Sequence, residues 1–181
     1  MSHDIQHDPY EILLDIEHRS KLNAAGLPQQ VEIKKPWSGI GFKVGKINLL
    51  SRIGAVNEIL DYPKVTIVPG TKPWVMGMAN IRGNLLPVID LKGYLGGDVT
   101  KLNQRSRVLV INKGTLSVGL LVDEVLGLKH FYQDEQIKQK PNVDEKLKQY
   151  LIGGYKQNET SWYIFNFQAL AQDPDFLLVT A

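Results

Sequence analysis

Few residues in this chain could carry acid–base, nucleophilic or metal chemistry, and they are scattered. The histidines are His3, His7, His18 and His130. His3 and His7 are spaced to share one face of a helix, so a metal site is conceivable, but no ligand cluster lies nearby and a polar chain end is the preferred reading. Cysteine is absent, which removes disulfides, thiolate zinc sites and a cysteine nucleophile. No serine lies in a nucleophile elbow. No Walker sequence occurs, and Gly39-Ile40-Gly41 opens a hairpin rather than a helix, so it lacks the setting in which a glycine loop cradles phosphate. Asp123 and Glu124 are neighbours on one expected strand, which sends them to opposite faces and prevents a paired-carboxylate site. The expectation is no catalytic residue, no metal and no cofactor, hence a protein that is not an enzyme.

The densest stretch is Pro73-Trp74-Val75-Met76-Gly77-Met78-Ala79-Asn80-Ile81-Arg82-Gly83-Asn84-Leu85-Leu86-Pro87-Val88-Ile89-Asp90-Leu91. Arg82 sits between apolar residues and beside Gly83, which permits backbone angles that other residues avoid. A guanidinium in such surroundings needs an acid or a carbonyl as partner. The acids in the same half of the chain are Glu58, Asp61 and Asp90. Two readings stand level on spacing alone: an ion pair that fixes a loop, or a preset arginine that presents an interaction surface.

The elements that must position these residues are short strands. Asp8 and Pro9 punctuate the start of a first helix, with Ile12, Leu13 and Ile16 on one face and Gly26 and Pro28 at its end. Its mixed charge and narrow apolar stripe favour packing on the following domain over a membrane or partner helix. Residues 1–36 are therefore read as a helical extension and linker. From Trp37 onward Ile40, Phe42 and Val44 alternate, Gly45-Lys46 turns the chain, and Ile47 and Leu49 return. Val56–Leu60 and Val65–Val68 read as strands, and so does Leu85–Ile89, whose Pro87 places it at an edge or a bulge. Asp90 caps a helical turn that Gly96-Gly97 stops. Arg107–Ile111 and the alternating Leu116, Val118, Leu120 and Val122 form a hairpin about Lys113-Gly114. A short helix over 144–151, a third hairpin about Asn158-Glu159 and a helical tail from Gln168 close the chain. The polar connection Val99–Arg105 is the expected seam, near 97–106, between two halves of the domain spanning 37–181. Many short strands with helices as plugs indicate a mainly β fold of one or two small barrels rather than a parallel α/β sheet.

Composition is that of an ordinary folded protein. The 181 residues hold 43% hydrophobic and 22% charged residues, and Lys plus Arg at 21 against Asp plus Glu at 19 leaves a net charge of +2. That balance argues against nucleic acid or an anionic membrane as the main partner. Trp37, Trp74, Trp162, Phe165 and Phe167 could stack bases on a nucleic-acid-binding β-barrel, but no arginine cluster accompanies them, and core packing is preferred. No signal peptide and no membrane span is expected.

Val56-Asn57-Glu58-Ile59-Leu60, Val65-Thr66-Ile67-Val68-Pro69, Gly77 through Leu91, Val118 through Val125 and Leu151-Ile152-Gly153-Gly154 together resemble the CheW-like coupling domains of bacterial chemosensory systems. The resemblance runs in order from Trp37 to Ala171, and Asn-x-Arg-Gly followed by Pro-Val-x-Asp-Leu is its most specific part. It implies two small five-stranded SH3-like β-barrels packed together, without enzyme activity. It further implies binding to the regulatory domain of a CheA-like histidine kinase and, in a groove between the two barrels, to the cytoplasmic tip of a chemoreceptor, in the cytoplasm at membrane-associated arrays. By the same resemblance Arg82 is the groove arginine and Glu58 its acid, with Asn80 and Gly83 in the same motif and Val56, Val122, Asp123 and Val125 on strands nearby. The leading helix, the Trp37-Ser38-Gly39-Ile40-Gly41-Phe42 opening and Trp74 resemble the PilI-type adaptors of type IV pilus and twitching-motility systems. A CheW-like module in a different regulatory scaffold is the alternative.

Overall fold

Parity of side chains decides how the first strand is used. In β1, Trp37–Val44, the residues Ile40, Phe42 and Val44 face one way and Trp37, Gly39 and Gly41 the other. A side chain at Gly39 would run into the Trp37 ring, and one at Gly41 would run into the Trp162 ring. The Gly-x-Gly sequence is therefore a floor for two indoles, which covers strand glycines that would otherwise weaken the sheet.

The computed structural model describes residues 9–23, 36–114, 116–138 and 141–178. The chain divides into residues 1–34 and residues 35–181. In the first unit, α1 is Pro9–Asn23, with ion pairs Arg19–Asp15 and Lys21–Glu17 along it and Ile12, Leu13, Leu14 and Ile16 exposed. The expected cap Asp8, the stops Gly26 and Pro28 and the linker up to Lys35 lie outside the described residues. In the second unit the strands are β1, β2 (Ile47–Arg52), β3 (Glu58–Asp61), β4 (Val75–Ile81), β5 (Asn84–Asp90), β6 (Arg107–Lys113), β7 (Leu116–Val122), β8 (Glu124–Phe131), β9 (Gln136–Ile137), β10 (Leu151–Gln157) and β11 (Thr160–Phe165). Among the described residues, the short α-helices α2 (Leu91–Tyr94) and α3 (Glu145–Lys148) and a 3-10 turn at Gln133–Glu135 lie between strands, and α4 (Phe167–Ala171) and α5 (Pro174–Leu177) follow the last one.

The strands form two curled sheets, of order β8-β1-β2-β11-β10-β9 and β3-β6-β7-β5-β4. Leu50, Phe131, Tyr155, Trp162 and Ile164 fill the first. Ala79, Ile81, Leu86, Val88, Val108, Val110 and Leu121 fill the second. The opposite faces of both meet in the largest cluster, where Phe42 and Leu49 pack with Ile89, Leu109, Ile111 and Leu120 and with Tyr94, Tyr150, Phe167 and Phe176. Each sheet is thus apolar on both faces, as a twin-barrel architecture requires.

Several expectations shift. The first sheet has six strands rather than five, because the two-residue β9 adds at its edge. The connection 97–106 is not the seam, since it joins α2 to β6, which serves the same sheet as β5. The chain crosses between sheets at 53–57 and again at Asp123, between β7 and β8. Val65–Val68 is no strand; flanked by Pro63 and Pro69, it contributes one bridge, Thr66 to Met78. β5 is interior, not an edge. Its Pro87 is tolerated because pairing with β7 begins only at Val88. The helix expected over 144–151 ends at Lys148, and Leu151 already opens β10.

Candidate interaction site

Arg82 and Gly83 are the two central residues of the turn between β4 and β5, where Ile81 faces Asn84. Both have positive φ, 53° and 87°, the geometry of the primed two-residue hairpin turn whose twist matches its strands. Gly83 takes that conformation freely; Arg82 takes it as a non-glycine residue, held by its surroundings. Asn80 steadies the turn by accepting the Gly83 N–H at 2.8 Å. The turn lifts Arg82 clear of the surface, with its side chain 78% exposed.

Glu58 waits on the other edge of the same sheet. Its Oε1 accepts from Arg82 Nε at 2.9 Å and from Nη2 at 2.6 Å, and its side chain is 23% exposed. β3 and β4 are the two edges of that sheet, so this ion pair links one edge strand to the turn that ends the other, and the Thr66–Met78 bridge ties the segment after β3 to β4. Two of the five guanidinium N–H groups are used in this pair, which leaves the others for an incoming acceptor. Two exposed apolar residues lie near the pair along the strands: Leu85, whose backbone pairs with Asn80, and Ile59, which follows Glu58 on the opposite face of β3. Sequence reasoning did not single these two out, although outward parity from the half-buried Glu58 and Leu60 marks Ile59.

The other candidate acids go elsewhere. Asp61 pairs with Arg107 at 3.2 Å. Asp90 is fully buried and accepts from Thr100 N at 2.6 Å, Thr100 Oγ1 at 2.8 Å and Lys92 N at 3.1 Å.

The structure separates the remaining sequence candidates from Arg82. Val56 and Val122 are buried in the central core and offer no surface, so any part they play is one of positioning. Asp123 accepts from Gly45 N at 2.6 Å and donates its own N–H to Lys43 O at 3.1 Å, tying the crossing between sheets to the first hairpin. Val125 is half-buried opposite Phe42. Because β5 pairs in parallel with β7, the Arg82 turn lies level with the start of β7 and Val122 with its far end. At about 3.3 Å per residue the two are on the order of 20 Å apart. Arg82, Gly83, Asn80 and Glu58 are one constellation; Val122, Asp123 and Val125 are another.

Titration shifts include a group around Tyr94, Tyr150 and Asp173, and two further tyrosines, Tyr62 and Tyr155, that burial raises. The Tyr94 hydroxyl lies 2.9 Å from that of Tyr150 and 3.1 Å from Asp173 Oδ2, which Tyr150 also contacts. Burial, then the hydrogen bond to Asp173, pushes Tyr150 up to about 12, and burial with the Tyr150 contact raises Tyr94 further. Burial alone would raise Asp173, but donation from Tyr150, the Asp175 amide, Tyr94 and the Phe176 amide leaves its carboxyl below the usual range. Among the described residues no group of three His, Asp or Glu side chains could hold a metal ion, and no helix is long and apolar enough to cross a membrane.

Two curled sheets back to back, with a displayed arginine held by an acid across the closing edges, define a coupling-domain architecture. The chain belongs to the CheW-like domain family, whose sequence model matches residues 38–175, and it is a chemosensory adaptor of that kind. It is 42% identical to Protein PilI of Pseudomonas aeruginosa over 174 residues, covering 96% of this chain and 97% of that protein. It is 29% identical to Protein FrzA of Myxococcus xanthus over 133 residues, 72% of this chain and 82% of that one. The crystal structure of the scaffolding protein TtCheW from Thermoanaerobacter tengcongensis shares the fold, with a TM-score of 0.63 at 24% identity over 72% of this chain and 89% of that one.

Proposed function

We propose that this protein holds a CheA-like histidine kinase and the cytoplasmic tip of a chemoreceptor in a fixed relation, in control of type IV pili and twitching motility, and turns over no substrate. The observation that carries the reading is Arg82: charged, raised on a rigid turn, and satisfied on one side only. An adaptor of this kind needs complementary surfaces rather than chemistry. Apolar side chains such as Leu85 and Ile59 supply interface energy at about 25 cal/mol per Å² buried, before the costs of association. Arg82 supplies direction, since a guanidinium fork gives charge-assisted, geometrically selective bonds to carboxylates or carbonyls. Receptor states then regulate the kinase to the extent that they bind the adaptor differently, because a ligand shifts an equilibrium only by its differential affinity. The similarity to PilI over nearly the whole chain supports the pilus-linked assignment. The protein acts in the cytoplasm, recruited to membrane-associated arrays by its partners rather than by insertion.

Arg82→Glu tests this. The variant keeps its circular dichroism spectrum and melting transition, because the side chain is exposed, and loses capture of kinase and receptor from a lysate read by mass spectrometry. A folded Arg82→Glu protein that captures both partners normally removes the role assigned to Arg82. A wild-type capture that yields other scaffold proteins and neither partner moves the domain to a different regulatory complex.

A further inference from the structure

The last described turn of the chain is attached to the domain in an unusual way. α5 and its flanks make backbone hydrogen bonds only to neighbouring residues: Asp173 N to Leu170 O, Leu177 N to Asp173 O and Leu178 N to Pro174 O. No sheet pairing holds it. Two side chains three residues apart anchor it instead. Asp173 reaches the Tyr94 and Tyr150 hydroxyls and, at 3.4 Å, Gln149 Nε2. Phe176, 1% exposed, lies parallel to the Trp74 ring at 6.2 Å and edge-on to Tyr94 at 5.0 Å. Pro174, Asp175, Leu177 and Leu178 face solvent.

The receiving surface is held by contacts that do not involve this segment. Tyr94 lies on α2, which Asp90 caps, and the Asp90 amide bonds to Trp74 O. Tyr150 is fixed through its carbonyl by Asn166 N and through its hydroxyl by Tyr94. Lys146 sits over the Tyr94 ring at 3.9 Å. None of these contacts is made by residues 173–178. A preformed socket that reads an acid and an aromatic one helical turn apart is the pattern by which grooves recognise short helical peptides.

We propose that Asp173–Leu178 is an exchangeable latch, and that the Trp74–Tyr94–Tyr150 socket beneath it is a second binding surface, which accepts from a partner protein a segment of the same chemistry: an acidic residue followed three positions later by an aromatic one. The chain's own Asp173 and Phe176 define that chemistry. A segment held by two side chains, with no sheet pairing, can open locally ahead of global unfolding. While the latch is shut it taxes any competitor by the fraction of time the socket is open.

A fluorescently labelled peptide with the sequence of residues 172–178 provides the probe, titrated into the full-length chain and into the full-length chain carrying Asp173→Ala and Phe176→Ala. Saturable binding to the double variant is expected, with binding to the wild-type chain at least about tenfold weaker because its own latch competes. A peptide with alanine in place of its phenylalanine should not bind either. Absence of saturable binding to the folded variant overturns the proposal, and so does equal binding to both chains. If the double variant loses its cooperative melt, hydrogen exchange on the unaltered chain decides. Leu177 and Leu178 amides that exchange well before those of Leu109 and Leu120 support a latch; exchange in step with that core overturns it.

Discussion

Arg82 and Asp90 bracket β5, the first in the turn before it and the second as its last residue, and the two charges meet opposite fates. Arg82 is exposed and shares a single carboxylate oxygen. Asp90 is sealed from solvent with no cation against it, its charge met by two amides and a hydroxyl. An exposed ion pair is worth roughly 0–1 kcal/mol, because water and salt screen it and two long side chains must be ordered. A buried carboxylate bonded to several donors leaves each of them stranded if it is removed, at about 1–3 kcal/mol apiece. One end of the strand is thus available to partners without risk to the fold, and the other holds the fold without touching partners.

The largest effect that would sharpen this contrast is at the buried end. Asp90→Ala leaves the Thr100 amide, the Thr100 hydroxyl and the Lys92 amide without their acceptor and uncaps α2. A loss of about 3 kcal/mol or more in urea unfolding is expected. A variant as stable as the parent would break the contrast. Next comes the closure of the sheet between the two ends. Gly77 has φ of 134°, and a Cβ there would strike the Thr66 carbonyl that Met78 N bonds to. Gly77→Ala should cost roughly 2 kcal/mol. It should also release the 65–68 segment from β4, seen as faster exchange of the Thr66 and Met78 amides.

The same two ends show what was legible in the sequence. The unusual backbone beside Gly83 and the need of Arg82 for an acid could be anticipated from local rules, which left Glu58, Asp61 and Asp90 as partners; only the family resemblance singled out Glu58. The cap at Asp90 was legible for the same reason, but its burial was not, since that requires Thr100 to fold back from a connection that reads as a polar seam. β4 was hidden because its inward positions are Gly77, Ala79 and Ile81, too small at two of three places to show alternation. The placement of Val122 and Asp123 away from Arg82 depends on parallel pairing of β5 with β7, a long-range register that no local pattern encodes. The aromatic socket was missed because its parts, Trp74, Tyr94, Tyr150 and Phe176, come from four separate elements.

The smallest expected effect is the most discriminating at the exposed end. A double-mutant cycle of Arg82→Ala and Glu58→Ala, read by unfolding, should give a coupling of about 0.2–1 kcal/mol. That coupling should shrink as salt rises, since both groups reach solvent. The sign of the residual matters as much as its size. Zero coupling would mean that the hydrogen bonds at 2.9 and 2.6 Å do not hold Arg82 in place, and that the positive-φ turn alone presents it. A coupling above about 2 kcal/mol, insensitive to salt, would place the pair in the buried class with Asp90 and end the distinction between the two ends of β5. Run on partner capture instead of unfolding, the cycle separates two uses of Glu58. If Glu58 only aims the arginine, Glu58→Ala weakens capture in the parent and changes nothing once Arg82 is gone. If Glu58 touches the partner itself, its loss weakens capture in both backgrounds.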